Sequence, residues 1–152
     1  MFDNGAVKTE AMLCFNLYAA SLAMTRFYKP LLEPLGLTYP QYLVLLSLHQ
    51  EDKQGVSKLS NELQLDTGTL SPLLKRMEAS QLIKRHRQAD DERRVLVELT
   101  ELGREVAAKA ARIPQCIAQS LGPNFEEIEP SRLLLAKLRK VLAKTVPPVL
   151  AK

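Results

Sequence analysis

The chain has 152 residues, of which 46% are hydrophobic and 25% charged, which is typical of one globular domain with a buried core. No apolar run approaches the roughly 20 residues of a membrane helix, and the N-terminus lacks the basic-then-apolar pattern of a secretory signal. The sequence therefore predicts a soluble, cytoplasmic protein without a membrane partner. In that compartment we expect Cys14 and Cys116 to be free thiols rather than a structural disulfide.

The net charge of +4 is concentrated in one segment. Residues 75–94 hold seven Lys or Arg against four Asp or Glu, a net charge of +3. A segment of this kind is typical of polyanion binding, although a solvated surface produces the same count. Charge therefore favours a nucleic-acid interface.

Two apolar helices are predicted ahead of the basic segment. From about Thr9 to Leu32, apolar residues recur at helical spacing. Thr38 then precedes a Leu-rich helix with Pro40 in its first turn, and Gly55 breaks that helix.

Two short helices follow, joined by a short polar segment. Ser57 is the predicted N-cap of the first, and Asp66 or Thr67 that of the second. The second helix has an apolar side and an outer face rich in Thr, Ser, Lys and Arg. This pattern is typical of a helix-turn-helix.

The rest of the chain is predicted as a hairpin and further helices. Residues 82–87 and 94–99 are short strand-like runs separated by a charged turn, which indicates a β-hairpin. Thr100 caps a helix that Pro114 ends or kinks, and an amphipathic helix follows over about residues 130–146.

The predicted fold class is mainly α, a winged helix-turn-helix with helices at both ends. We expect one domain over residues 1–152. The winged helix-turn-helix occupies about residues 55–100, and the helical region about 9–50 and 101–146. The terminal helices are more apolar than the small module needs for its own core, so we predict a homodimer.

The predicted wing carries the most specific motif. The segment "DERRVLVELTELG" resembles the wing of the MarR family of winged-helix repressors, whose pattern is Asp-x-Arg, a strand, then Leu-Thr-x-x-Gly. The segments "LCFNLYAA", "YKPLL", "LTYPQYLVLL" and "LDTGTLSPLLKRME" resemble the OhrR-type branch, which senses organic hydroperoxides. The resemblance covers roughly residues 10–115, and its four segments occur in the family's order.

The resemblance implies that the second helix of the motif enters the major groove of double-stranded operator DNA and the wing the minor groove. The predicted DNA contacts are Thr67, Thr69, Ser71, Lys75, Arg76, Arg85, Arg87 and Arg93. The Arg93 guanidinium fits a narrow, electronegative minor groove. Asp91 would orient Arg93, unless the two only shape the turn. A two-fold dimer reads grooves about 34 Å apart, so we expect a pseudo-palindromic site.

Cys14 has a phenol one helical turn away, in Tyr18. Tyr28 shares its helix face but lies about 21 Å along the axis, so the two cannot touch within one straight helix. Across the two-fold axis of a dimer, Tyr28 of one subunit can approach Cys14 of the other. The resemblance implies that Tyr28 and Tyr39 reach Cys14 from the partner subunit. Their hydroxyls would stabilise the thiolate, which is the form that attacks a peroxide.

The resemblance further implies a redox repressor whose inducers are organic hydroperoxides. Oxidation of Cys14 would release DNA, with Cys116 of the other subunit as the resolving thiol. The alternative is a packing role for Cys116 and a small thiol on Cys14. No cofactor is expected, and no metal, because His49 and His86 are far apart and no Cys/His pair has ligand spacing.

Three other functions remain open. The first is a MarR-type repressor induced by a small aromatic ligand, with Cys14 structural. The second is a thiol peroxidase, and the third is a non-specific architectural DNA binder. The sequence favours a repressor that is not an enzyme, and exchange of Cys14 for serine separates it from the first alternative.

Overall fold

The structure, a computed structural model, describes residues 8–87 and 95–146. Within these residues the chain forms eight α-helices and one three-stranded sheet. The elements up to the sheet are α1 (Leu13–Leu32), α2 (Tyr39–Gln50), β1 (Gln54–Gly55), α3 (Val56–Leu63), α4 (Thr67–Ala79), β2 (Ile83–Arg87) and β3 (Val95–Leu99). The remaining helices are α5 (Glu101–Ala110), α6 (Ile113–Leu121), α7 (Pro123–Ile128) and α8 (Ser131–Lys144). The chain divides into two compact units, residues 1–113 and 114–152.

Helix α1 begins at Leu13, later than the sequence predicted. A 3-10 turn over Thr9–Ala11 precedes it, and Met12 between them has an extended backbone. The Asn16 side chain donates a hydrogen bond to the Met12 carbonyl at 2.9 Å, which joins the turn to the start of the helix. Cys14 therefore lies in the first turn of α1 rather than further inside the helix.

The predicted caps of α4 and α5 are confirmed, and the predicted cap of α3 is wrong. The side chains of Asp66 and Thr100 each accept a hydrogen bond from a backbone N–H in the first turn of their helix. Helix α3 instead begins at Val56, before the predicted cap Ser57. Its N-cap is Gly55, because pairing in β1 keeps that residue extended.

The core of the first unit forms between α2, the apolar sides of α3 and α4, and the sheet. Its most deeply buried side chains are Leu32, Tyr42, Val44, Leu45, Leu48, Leu59, Leu70, Leu74, Met77, Ile83 and Val97. These come from α1, α2, α3, α4 and both hairpin strands. The predicted apolar sides of α3 and α4 therefore pack into one core, which fixes α4 relative to the hairpin.

The sheet has the order β1-β3-β2, and all its pairs are antiparallel. The predicted hairpin is confirmed: Ile83 lies opposite Leu99, and Arg87 opposite Val95. The sequence analysis missed β1, which is only two residues long. Helix α5 packs closely on the hairpin base at Gly103, where a Cβ atom would lie 1.9 Å from a backbone oxygen.

The second unit contains the C-terminal helices. Helix α5 ends at Ala110, and Pro114 is the second residue of α6, where a proline is tolerated because its missing N–H has no intrahelical acceptor. The sequence analysis missed α6 and α7, which are separated at Gly122 with a φ of 54°. Helix α8 lies inside the predicted range. In the described residues, no helix has both the length and the apolar character required to cross a membrane.

Candidate DNA interface and thiol site

Helix α4 buries one side and exposes the other. Its leucines and Met77 are buried, as the sequence predicted. The turn from α3 contains Gln64 in the left-handed region with a φ of 55°, which redirects the chain sharply into α4. The predicted DNA contacts Thr67, Thr69, Lys75 and Arg76 are exposed, and Ser71 is half-buried. The outer face of α4 therefore presents hydroxyl and cationic groups together.

Thr69 has a role within the helix as well as an exposed position. The Asp66 carboxylate accepts hydrogen bonds from the backbone N–H of Thr69 at 2.8 Å and from the Thr69 hydroxyl at 2.9 Å. These hydrogen bonds, the hydroxyl first, lower the pKa of the Asp66 carboxyl. The charged carboxylate at this N-terminus also interacts favourably with the helix dipole. Thr69 therefore helps to define the start of α4.

The two predicted arginines of β2 differ in their surroundings. Arg87 is exposed, whereas Arg85 is half-buried and bound to Glu78 of α4. Its Nε and Nη2 atoms lie 2.9 and 2.5 Å from Glu78 Oε2, and its backbone N–H donates to Glu78 Oε1 at 3.0 Å. The hydrogen bond from the Arg85 side chain is the main cause of the lowered pKa of the Glu78 carboxyl. Asp91 and Arg93 lie outside the described residues.

Asp52, which the sequence analysis missed, anchors the other hairpin strand. Its carboxylate accepts hydrogen bonds from the backbone N–H of Leu99 at 2.9 Å and from the Arg104 guanidinium at 3.0 Å. Burial raises the pKa of the Asp52 carboxyl, but these hydrogen bonds and that from Lys53 outweigh it and lower the pKa. No local pattern indicated Asp52 or Glu78, because their partners lie on other elements.

Cys14 is exposed near the N-terminus of α1, as the second residue of that helix. Backbone N–H groups in this first turn have no intrahelical acceptor, and the positive end of the helix dipole lies there. Within the described part of the chain, the N-cap residue Met12 makes no capping hydrogen bond through its side chain. The Cys14 thiol therefore lies exposed at the N-terminal end of α1.

Three tyrosines form one aromatic cluster where α1 meets α2. The ring centroids of Tyr28 and Tyr39 are 4.9 Å apart in an edge-to-face arrangement, and Tyr42 lies 5.6 Å and 5.9 Å from them. Burial, together with Tyr39, raises the pKa of Tyr28, and burial raises the pKa of Tyr39. Both phenols therefore remain protonated hydrogen-bond donors at neutral pH. The sequence analysis missed Tyr42, whose pKa burial also raises.

Tyr18 and Cys116 lie at exposed positions. The side chain of Tyr18 is 63% exposed on α1. Cys116 is exposed on α6, whereas Ile113 and Ile117 of the same helix are buried. Over residues 8–87 and 95–146, no three His, Cys, Asp or Glu side chains are arranged to hold a metal ion.

A helix-turn-helix with a polar, basic second helix and an adjoining antiparallel hairpin defines a winged-helix DNA-binding protein. Comparison with known families and proteins narrows this class. Residues 26–110 match the family described as Transcriptional regulator SarA/Rot. The organic hydroperoxide resistance transcriptional regulator of Bacillus subtilis is 46% identical over 141 residues, which cover 93% of this chain and 95% of that protein.

Solved structures of AbfR of Staphylococcus epidermidis are also similar. Reduced AbfR bound to DNA matches with a TM-score of 0.76 and 34% identity, over 86% of this chain and 90% of that one. Disulfide-formed AbfR matches with a TM-score of 0.58 and 38% identity, over 82% and 89%. The chain therefore belongs to the MarR-type family of winged-helix transcriptional regulators. The predicted fold class and family resemblance are confirmed.

Proposed function

We propose that this regulator is a repressor that binds operator DNA as a homodimer and releases it when an organic hydroperoxide oxidises Cys14. The observation that carries this proposal is the exposed position of Cys14 in the first turn of α1. Helix N-termini favour the thiolate, which is the reactive form of cysteine. The Bacillus subtilis relative, named as an organic hydroperoxide resistance regulator, supports the choice of inducer.

The thiolate receives its hydrogen bonds from the partner subunit in this proposal. Tyr28 lies about 21 Å from Cys14 along the same helix, so it serves the Cys14 of the other chain. Tyr39 accompanies it, because the two rings are in contact. Their burial keeps both phenols protonated, as a donor to an anion must be. Tyr18 contributes from the next turn of the helix that carries Cys14.

The reaction transfers one oxygen atom. The Cys14 thiolate attacks a peroxide oxygen, an S–O bond forms, the O–O bond breaks, and the alkoxide leaves as an alcohol after taking a proton. The product is a sulfenic acid, which Cys116 of the other subunit attacks to form a disulfide and water. The AbfR relative also exists in a disulfide form. The sensor reacts once per reduction cycle, so it is a regulator and not an enzyme.

Apolar side chains around Cys14 favour organic hydroperoxides over hydrogen peroxide. Leu13 and Phe15 flank the thiol in sequence and are exposed in the single chain, and Phe27 lies further along α1. A second chain that covers this side would enclose the thiol in an apolar environment. An alkyl or aryl peroxide gains from leaving water there, at about 25 cal/mol for each Å² of apolar surface buried.

The DNA interface combines α4 and the wing. Thr67, Ser71, Lys75 and Arg76 face the major groove, and Arg87 lies on the strand that leads into the wing. Arg93, oriented by Asp91, reaches the minor groove. If a dimer neutralises on the order of eight phosphates, log K falls with log salt at a slope of about −7. Because chromosomal operators lie in the cytoplasm, the proposal locates the protein there.

A mobility-shift assay with DNA from upstream of its gene tests the proposal. Cumene hydroperoxide should release the wild-type protein, whereas Cys14→Ser should bind with similar affinity and stay bound. Cys116→Ser serves as the matched thiol control, because its Cys14 is still oxidised. Release of Cys14→Ser by the peroxide contradicts the proposal. Release of both proteins by a small aromatic acid instead supports the ligand-induced alternative.

Turnover distinguishes the sensor from a thiol peroxidase. With dithiothreitol as reductant, a peroxidase consumes many equivalents of cumene hydroperoxide per subunit within minutes. We expect a fast loss of about one equivalent per subunit, followed by slow consumption limited by the reduction of the oxidised protein by dithiothreitol. Sustained rapid turnover that depends on Cys14 contradicts the regulatory assignment.

A further inference from the structure

Glu78 connects α4, the second helix of the helix-turn-helix and here called the recognition helix, to strand β2 of the wing. It lies near the C-terminal end of α4, and both of its carboxylate oxygens bind Arg85 of β2. One oxygen accepts the backbone N–H of the strand, and the other accepts two N–H groups of the guanidinium. Charge-assisted hydrogen bonds of this kind are directional and stronger than neutral ones. The pair therefore fixes β2 against α4 through its backbone as well as through its side chain.

The pair also determines what the Arg85 guanidinium can reach. The Arg85 side chain is 26% exposed, and two of its N–H groups point at one carboxylate oxygen. A phosphate contact by the same groups would require breaking that arrangement and would bring phosphate close to the Glu78 carboxylate. Repulsion between the two anions opposes such a contact. Arg85 is consequently a poorer phosphate ligand than its charge suggests, whereas Arg87 on the same strand is exposed.

The second hairpin strand has an anchor of the same kind. Asp52 binds the backbone N–H of Leu99 on β3 and the guanidinium of Arg104 on α5. Each strand of the wing base is thus held by one carboxylate that also binds an arginine. Of these two anchors, only the Glu78–Arg85 pair connects directly to the helix that carries the predicted major-groove contacts.

We propose that Glu78 and Arg85 are positioning residues that set the wing relative to the recognition helix. Arg85 then supports operator binding through Glu78, and not as a phosphate ligand. A protein that binds two adjacent grooves needs the recognition helix and the wing at a fixed relative position. A mobile wing would have to be ordered on binding, and the conformational entropy lost would lower the affinity for DNA. The inference rests on the proposed operator binding.

Operator affinity of three variants tests this inference. Glu78→Gln, Arg85→Gln and Arg85→Lys should each bind about tenfold more weakly than wild type, since two pairs act in each dimer. Lysine keeps the positive charge but lacks the planar fork of two guanidinium nitrogens, so Arg85→Lys should not restore affinity. The double variant Glu78→Gln/Arg85→Gln should be no weaker than either single variant. The slope of log K against log salt should stay at its wild-type value in all of them.

A phosphate-ligand role for Arg85 predicts the opposite pattern. Arg85→Lys would then retain affinity, Glu78→Gln would bind as well as wild type or better, and Arg85→Gln would flatten the salt slope by about 1.8 per dimer. That pattern overturns the inference. Lys84→Gln, on the same strand, is the matched control. Its effect should add to that of Glu78→Gln, and coupling between them as strong as that of the Glu78–Arg85 pair contradicts the inference.

A hydroxyl-radical footprint separates positioning from loss of stability. In Glu78→Gln, protection should decrease at the outer minor-groove positions and persist in the central major grooves. Uniform loss of protection at saturating protein means that the pair affects folding alone and overturns the inference. Failure of the wild-type protein to bind the DNA contradicts the proposed function itself, so the two failures are distinguishable.

Discussion

The winged helix-turn-helix and helix α1 differ in how much of their apolar surface a single chain buries. In the former, the apolar sides of α3 and α4 are buried, and the carboxylates of Asp52, Asp66 and Glu78 all bind donors within the chain. Helix α1 has 20 residues, but its only fully buried side chain is Leu32, at the C-terminal end. The winged helix-turn-helix therefore buries its apolar sides within one chain, whereas most of α1 stays exposed.

The exposed apolar surfaces of α1 and α8 indicate where a second chain would bind. Along α1 the exposed large side chains include Leu13 and Phe27, close in sequence to Cys14 and Tyr28. Helix α8 exposes Leu134 to 68% and Leu142 to 61%. Exposed apolar helix faces of this kind are typical of subunit interfaces. In the proposed function, sensing and dimerisation depend on the same helix, so that oxidation of Cys14 would alter the spacing of the two DNA-reading units.

The sharpest test of this comparison is the fate of Cys116. After cumene hydroperoxide, wild-type protein should run on a non-reducing gel as a covalent dimer, because each Cys14 is joined to the other chain. Cys116→Ser should give no covalent dimer, and its intact mass should show sulfenic acid or a capped Cys14. Persistence of the dimer band in Cys116→Ser, or its absence in wild type, is incompatible with an intersubunit Cys14–Cys116 disulfide.

A charge on the apolar side of α8 should break the dimer. Leu134→Asp should dissociate it and weaken operator binding by about a thousandfold, because one half-site no longer raises the effective concentration at the other. Light scattering and fluorescence anisotropy measure the two effects. Ala143→Asp is the matched control, since nine residues at 100° each put it on the opposite side of the helix. Equal behaviour of both variants would argue against α8 as an interface.

Loss of a hydrogen bond donated by a tyrosine hydroxyl should slow the oxidation of Cys14 without preventing it. A hydrogen bond to a charged group contributes about 1.5–3 kcal/mol, so Tyr28→Phe should reduce the rate of Cys14 oxidation roughly tenfold or more. Stopped-flow consumption of cumene hydroperoxide gives the rate. Tyr42→Phe removes a hydroxyl from the same aromatic cluster and should leave it unchanged. If Tyr42→Phe is the slower variant, the donor has been assigned to the wrong ring.

The smallest expected effect concerns the anchor of β3. The folded pKa of Asp52 is lower than the ordinary value of 3.8, so its contribution to stability is present above that pH and is lost as the pH falls through the folded pKa. Asp52→Asn should lower the free energy of unfolding by on the order of 1 kcal/mol at pH 7. The difference should shrink as the pH falls from 3.8 through the folded pKa. A series of urea denaturations from pH 7 downwards measures it, and exposed Glu105→Gln should show neither effect.

The sequence by itself determined the features that depend on near neighbours. Helical spacing, the caps Asp66 and Thr100 and the paired strand-like runs act within a few residues, so the winged helix-turn-helix was predictable. The short segments of resemblance identified the family for the same reason. Cys14 and Tyr28 were likewise predictable as a pair that one straight helix keeps apart.

Only the tertiary structure decided the features that join distant residues. Asp52 and Leu99 are 47 positions apart, and the partners Glu78 and Arg85 lie on different elements. The two-residue strand β1 exists only because β3 pairs with it. Hydrogen bonds and burial of this kind arise after the chain has folded, and no local periodicity encodes them. The start of α1 is a different case, because a local turn and the Asn16 hydrogen bond to Met12 set it, and helical spacing alone did not locate it.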